Sequence, residues 1–368
     1  MTKTIAIVGG GIVGTTAAYY LVRDGHAVTL FDEGTGQATK AAAGIICPWL
    51  SKRRNKPWYR LASGGAAFFH QLINDLTTDG IDTSFYHRSG AVLLKKRAKA
   101  TEEQYQLGLK RREDAPEIGE LKILNQEELS SLLPSLQTQH NALFVEGGAR
   151  VDGSLYIETM QKWLAENGGT VIRERASLTA ENQLQTTNQS FTFDKIILTV
   201  GAWLPSILEP LGWEVDIRPQ KGQLVVMQTT DPENHRLPVI MPEGEIDVLP
   251  IGEGKVIVGA SHENDQGYDL KPDEAILQDL VEKGTALFTK LEGATVVETK
   301  VGTRAYTSDF SPFFGFLPTS MQILVASGLG SSGLTTGPFI GYQLALLAQE
   351  KPITVPLEDY LPDPYLSY

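Results

Sequence analysis

The stretch Thr4-Ile5-Ala6-Ile7-Val8-Gly9-Gly10-Gly11-Ile12-Val13-Gly14 decides how the chain is read. Its first five residues form a short apolar run of the kind a buried parallel strand requires, and the glycines that follow form a turn. Val13, Ala17, Tyr20 and Leu21 recur at helical spacing until Gly25 stops the helix, and Ala27 to Phe31 is the next apolar strand, ending on Asp32-Glu33-Gly34. The whole is a βαβ unit of about thirty residues. Within it, Gly9 permits the tight turn, Gly11 lets a pyrophosphate approach the backbone, and Gly14 lets the helix lie close on the sheet. Ile12 and Val13 open the helix, where free N–H groups and a partial positive charge favour an anion. Asp32, with Glu33 beside it, ends the second strand where a carboxylate accepts hydrogen bonds from a ribose. The segment implies a dinucleotide cofactor.

Composition leads the same way. The 368 residues include one cysteine, Cys47, and six scattered histidines, which leaves no disulfide within the chain, no Cys-based zinc site and no metal site to expect. A formal net charge of −12 gives a nucleic-acid surface no global support. No apolar run approaches the roughly 20 residues of a spanning helix. The start carries neither a signal-peptide core nor a cleavage site, so a cytoplasmic protein is expected. Chemistry must then come from ordinary polar groups or an organic cofactor, and the 36 glycines show where to look.

Along the chain, a loop over 34–47 is followed by a helix over about 59–76. Residues 85–145 alternate short strands with a charged helix and look inserted. A helix capped by Val151-Asp152-Gly153-Ser154 and running to about Glu166, strands over 168–172 and 193–200, then short antiparallel runs from 214 to 259 follow. A strand over 322–326, a helix over 338–349 and a proline-rich irregular tail complete it. The expected fold class is α/β: a Rossmann-like cofactor domain made of 1–84, 146–212 and 298–368, interleaved with a mainly antiparallel β (α+β) substrate domain made of 85–145 and 213–297.

A second glycine pattern, Gly328-x-Gly330-x-x-Gly333, precedes the last helix but is followed by no further strand with an acidic end. It either serves as a glycine-rich helix entry or aims the N–H groups of Ser331, Ser332, Gly333, Leu334 and Thr335 at the other end of the same cofactor. A flavin, which gains negative charge at N1 and O2 on reduction, suits such a helix terminus.

These residues resemble the FAD-dependent D-amino-acid oxidase, glycine oxidase and sarcosine oxidase family, and the resemblance runs through nearly the whole chain. Thr39-Lys40-Ala41-Ala42-Ala43-Gly44-Ile45 resembles the family loop beneath the pyrophosphate and along the flavin. Gly201-Ala202-Trp203 resembles its turn beside the adenosine. Lys221-Gly222-Gln223 resembles the opening of the substrate sheet, and Val258-Gly259-Ala260-Ser261-x-Glu263 a strand closing over the flavin. Val301-Gly302-Thr303-Arg304 is similar to the family's Gly-x-Arg, whose arginine binds the substrate carboxylate. The resemblance implies FAD and oxidation of a small amino acid or secondary amine to an imine by hydride transfer to N5. Arg304 would hold the carboxylate as a bidentate fork. Oxygen or another acceptor would take the electrons, and a homo-oligomer is possible. An accessory flavoprotein of a larger dehydrogenase is the alternative.

The chain also departs from the family. Where glycine oxidase has a tyrosine near the substrate, this sequence reads Asp247-Val248-Leu249-Pro250. Asp247 either faces the site, where it would hold a substrate ammonium or select a basic or hydroxylated side chain, or is a turn residue after Gly244-Glu245. Tyr306 and His262 are pocket candidates or ordinary packing and rim residues. Covalent flavin attachment as in sarcosine oxidase needs a cysteine shortly after the arginine; that region here is Ala305-Tyr306-Thr307-Ser308, so FAD is expected to be non-covalent. The basic run Lys52, Arg53, Arg54, Lys56 follows the flavin loop and is a candidate for guiding an anionic substrate.

Overall fold

A computed structural model of the chain describes residues 2–230, 232, 236–244 and 246–368. Two sheets organise it. The first has six strands in the order Phe313–Leu317, Ser320–Ser327, Lys195–Leu198, Thr4–Val8, Ala27–Phe31, Thr170–Ile172, all parallel except the Phe313–Leu317 edge. Because successive side chains alternate faces, Ile5 and Ile7 pack with helices Ile12–Arg23 and Gly333–Ala348, while Ala6 and Val8 pack with Leu204, Ile207 and Leu208 on the other side. Both faces are covered, which is why these strands read as continuous apolar runs.

The second sheet has eight strands in the order Thr295–Tyr306, Arg218–Gln228, Lys255–Gly259, Asp247–Gly252, Val239–Met241, Ala91–Lys95, Asn141–Val145, Leu121–Leu124. One face (Val225, Met227, Val248, Val258) is closed by Leu280 of helix Glu274–Leu287. The other (Leu224, Val226, Leu249, Ile257) joins the core shared with the first sheet. The six- and eight-stranded sheets thus meet through one continuous apolar cluster.

Two expectations need correction. The boundary at 298 cuts the twelve-residue strand Thr295–Tyr306, which pairs with Arg218–Gln228 along its whole length. Arg304 therefore stands on the edge strand of the eight-stranded sheet, beside residues 218–228, and not with the six-stranded sheet. The last helix begins at Gly333 rather than at Pro338, so Pro338 lies inside it and lacks the N–H that would bond the carbonyl of Leu334. Helix Glu274–Leu287, with Asp273 accepting from Ala275 and Ile276 N–H, was not anticipated. The proline-rich tail is irregular yet anchored: Tyr360 is buried and its hydroxyl donates to the Pro57 carbonyl. Among the described residues no helix is long and apolar enough to cross a membrane.

Candidate active site

A cavity of about 680 Å³ runs between the two sheets, from the Gly9–Gly14 turn to the Gly328–Gly333 loop. Of the candidate cofactor and substrate residues, from Gly9 to Thr335, all line it except Gly14, Lys40 and Tyr306, and the basic run Lys52, Arg53, Arg54, Lys56 lies outside it.

At one end the turn expected to cradle phosphate is built from backbone. Gly9 adopts φ +101°, and a Cβ there would sit 2.5 Å from the Thr199 carbonyl oxygen, so only glycine makes the turn. At Gly11 a Cβ would meet only Thr39 Oγ1, at 3.3 Å, and would otherwise project into the cradle. Thr39 Oγ1 accepts the Ile12 N–H at 3.1 Å, fixing the flavin-side loop against the helix start. Gly14 serves packing: a Cβ there would lie 2.0 Å from the Gly9 carbonyl oxygen. Asp32 is buried and oriented, its Oδ1 accepting from Gly34 N–H at 3.0 Å and its Oδ2 from the Gln37 amide. The backbone carbonyl of Lys40 accepts from Ser154 Oγ of helix Gly153–Glu166 at 3.5 Å.

Two buried oxygens on this wall, Gln37 Oε1 and Thr303 Oγ1, have no protein partner. Buried polar atoms are normally satisfied, so their position fits a bound polar group rather than packing alone. Glycine cradle, open helix start and orphaned oxygens together fit FAD: Gly9 to Val13 would hold its pyrophosphate, Asp32 its ribose, and residues 42–45 and 328–335 its ring.

At the other end stands Arg304. Its Nη1 donates to Gln220 Oε1 at 3.0 Å and to the Ser261 carbonyl at 2.9 Å. The guanidinium lies against Gly222, where a Cβ would come within 2.7 Å of Cζ and Nη2. Burial pulls its pKa below the ordinary arginine value, and Tyr306 and Glu263 oppose that shift. Nη2 and Nε are the donors left for a ligand. Gln220 escaped the sequence reading, because its role follows from standing opposite Arg304 in the strand register. Gly222 was marked only as part of a motif. Lys221 points to the opposite face, bonded to Asp269 at 2.8 Å and the Lys271 carbonyl at 2.6 Å.

Asp247 opens a strand rather than a turn and lines the cavity with His262, Met241 and Cys47; Glu245, part of the expected turn, lies outside the described residues. Burial raises the Asp247 carboxyl to about 7. Tyr306 stands behind the flavin-side loop: its ring packs on Gly330 and its hydroxyl accepts from Ser331 N–H at 3.1 Å. Arg53, Arg54 and Lys56 of the basic run border a separate surface groove. Lys52 pairs with Glu103, and Arg53 stacks on Trp58 while donating to the Phe310 carbonyl.

The chain is 40% identical over 366 residues to the uncharacterised oxidoreductase YurR of Bacillus subtilis, covering 98% of each. It is 26% identical over 349 residues to a glycine oxidase of Pseudomonas putida, covering 92% of each. The crystal structure of iminodiacetate oxidase from Chelativorans sp. BNC1 superposes with a TM-score of 0.93 at 33% identity, over 97% of this chain and 98% of that one. Residues 4–347 match the family model described as FAD dependent oxidoreductase, and the chain belongs to that family.

Proposed function

We propose that the protein oxidises the C–N bond of a small α-amino acid, of the glycine or D-amino-acid type, or of a related secondary amine, to the imine. The observation that carries this reading is Arg304, a buried guanidinium with its Nη1 held by Gln220 and Ser261 at the end of a cofactor-sized cavity. Such a preset fork recognises a carboxylate and fixes the carbon beside it, so orientation rather than acid–base strength does much of the work. The names of the relatives agree: glycine, iminodiacetate and D-amino acids all carry a carboxylate next to the reacting C–N bond. FAD, when bound, supplies the two-electron acceptor that takes the α-hydrogen as hydride at N5.

Ala42, Ala43, Leu334 and Met241 give the cavity wall an apolar lining. The Cys47 thiol is pushed up to about 12 by burial and by Asp247, so it stays protonated and is a poor nucleophile, which supports FAD held without a covalent bond. Anaerobic addition of an amine and amino-acid panel, D- and L-forms included, tests the reading through bleaching of the flavin absorbance. Oxygen consumption then distinguishes an oxidase from a dehydrogenase. Arg304→Ala should keep FAD and raise KM for the bleaching substrate about 100-fold, the loss of charge-assisted hydrogen bonds worth about 3 kcal/mol. A wild-type KM in that variant would overturn the assignment.

A further inference from the structure

Among the described residues four carboxylates line the cavity. Asp32, Glu33 and Glu174 follow the ends of strands Ala27–Phe31 and Thr170–Ile172, in the nucleotide half; Asp247 alone stands in the substrate sheet. Strand register places it relative to Arg304. Arg304 is opposite Gln220; Gly222 and Leu224 follow at two-residue steps; Leu224 is opposite Gly259, and Gly259 is opposite Asp247. Directly opposed residues share a face and alternate residues return to it, so Arg304 and Asp247 project from the same face of the sheet. Between them Gly222 and Gly259 line the cavity without side chains of their own: the guanidinium rests against Gly222, and Leu224 packs against Gly259.

From Gly222, where the guanidinium rests, to Asp247 is two inter-strand steps of ~4.8 Å across and two residues of ~3.4 Å along the strands, about 12 Å between backbones, and the Asp247 side chain reaches into that span. An amino-acid zwitterion fits that gap: a carboxylate and an ammonium on one carbon, each reached through a hydrogen bond of about 2.9 Å. Among the described residues no hydrogen bond or ion pair holds the Asp247 carboxylate, and its burial leaves it in need of a cation. The other titratable or charged groups on the cavity wall nearby are Cys47, His262 and Arg304. Glu243, on the neighbouring loop, is exposed and engages Lys96 N–H at 3.1 Å.

We propose that Asp247 receives the substrate's ammonium and takes a proton from it, so that the site is a two-ended clamp with Arg304 on the carboxylate. The inference rests on the amine-oxidation reading and names its missing base. In the step, an ammonium N–H bond breaks and an O–H bond forms on Asp247. The electron pair stays on nitrogen, and the neutral amine can then support departure of hydride from the adjacent carbon. Nothing is oxidised in this step.

The test uses the FAD-loaded enzyme and its Asp247→Asn and Asp247→Ser variants, with glycine, sarcosine and acetate as probes. Binding is read from perturbation of the flavin spectrum and reduction from anaerobic bleaching. The variants should bind glycine and sarcosine about 10- to 100-fold more weakly, as loss of a charge-assisted hydrogen bond requires, while acetate binds as tightly as before or tighter. Bleaching at pH 7 should slow at least as much and recover about tenfold per pH unit as the substrate amine deprotonates by itself. Equal changes for acetate and the amino acids, or a wild-type pH profile in both variants, would overturn the role of Asp247. Failure of every amine to bleach the wild type, with the selective binding loss intact, would instead overturn the amine-oxidation reading and leave the ammonium contact standing.

Discussion

Gly222→Ala isolates the contribution of Arg304's position from that of its charge. The added Cβ would lie 2.6 Å from Nη1 and 2.7 Å from Cζ and Nη2 of Arg304. Ordinary contacts between such atoms are about 3.5–4.0 Å, so the guanidinium must retreat by roughly 1 Å. It is the far end of a flexible side chain, and Gly222 has an ordinary strand backbone, so the fold accommodates the change. The small gain from removing a strand glycine, about 0.5–1 kcal/mol, even opposes any loss of stability. The 3.0 and 2.9 Å bonds to Gln220 and Ser261 cannot survive such a shift together with a bidentate carboxylate contact. Losing one charge-assisted hydrogen bond costs about 1.5–3 kcal/mol, so kcat/KM for the bleaching amino acid should fall about 10- to 150-fold, with FAD content and melting temperature nearly unchanged. The assay is steady-state kinetics on a double-mutant cycle with Arg304→Ala. In that background Gly222→Ala should have almost no further effect. A full additional loss there, or a wild-type kcat/KM for Gly222→Ala alone, would refute the reasoning.

Two further outcomes follow from the structure. Gly11→Val places a branched side chain in the phosphate cradle, where only Thr39 Oγ1 stands within 4 Å, so FAD should bind at least tenfold more weakly while circular dichroism of the apoprotein stays unchanged; tight FAD binding would move the cradle elsewhere. Asp247, raised to about 7 when folded, binds its proton more tightly in the native state than in the unfolded chain, so it lowers stability as pH rises from about 4 through 7, by about 4 kcal/mol in order of magnitude. The thermal advantage of Asp247→Asn over wild type should therefore be small at pH 5 and large at pH 8, and a pH-independent difference would contradict the burial of an ionised group.

The cofactor half was legible because its determinants are local. Thr4–Val8, the glycines at 9, 11 and 14 and the acidic end of Ala27–Phe31 act over neighbouring residues, and the structure assembles them as read. The substrate half was less legible. Strand Thr295–Tyr306 alternates weakly, with Val296 and Val297 exposed on a sheet edge, so no periodic signal marked it. The sequence leaves Tyr306 open between the pocket and the rim; two residues from Arg304 it shares that strand face, and its ring against Gly330 and its hydroxyl on Ser331 N–H set it behind the loop, contacts that no local pattern encodes.

By itself the sequence determined a dinucleotide-binding βαβ unit, a second glycine-rich helix start and a family whose members use FAD, since each depends on residue types at fixed short spacings. Only the tertiary structure decided which side chains share the substrate end. Gln220, Gly222, Gly259 and Asp247 come to Arg304 through the register of four strands drawn from nearly ninety residues of chain. That register is set by the burial of whole sheet faces, Leu224 and Leu249 on one side and Val225 and Val248 on the other. A one-residue slip in any strand would turn its site residue to the opposite face, and no local motif encodes that choice.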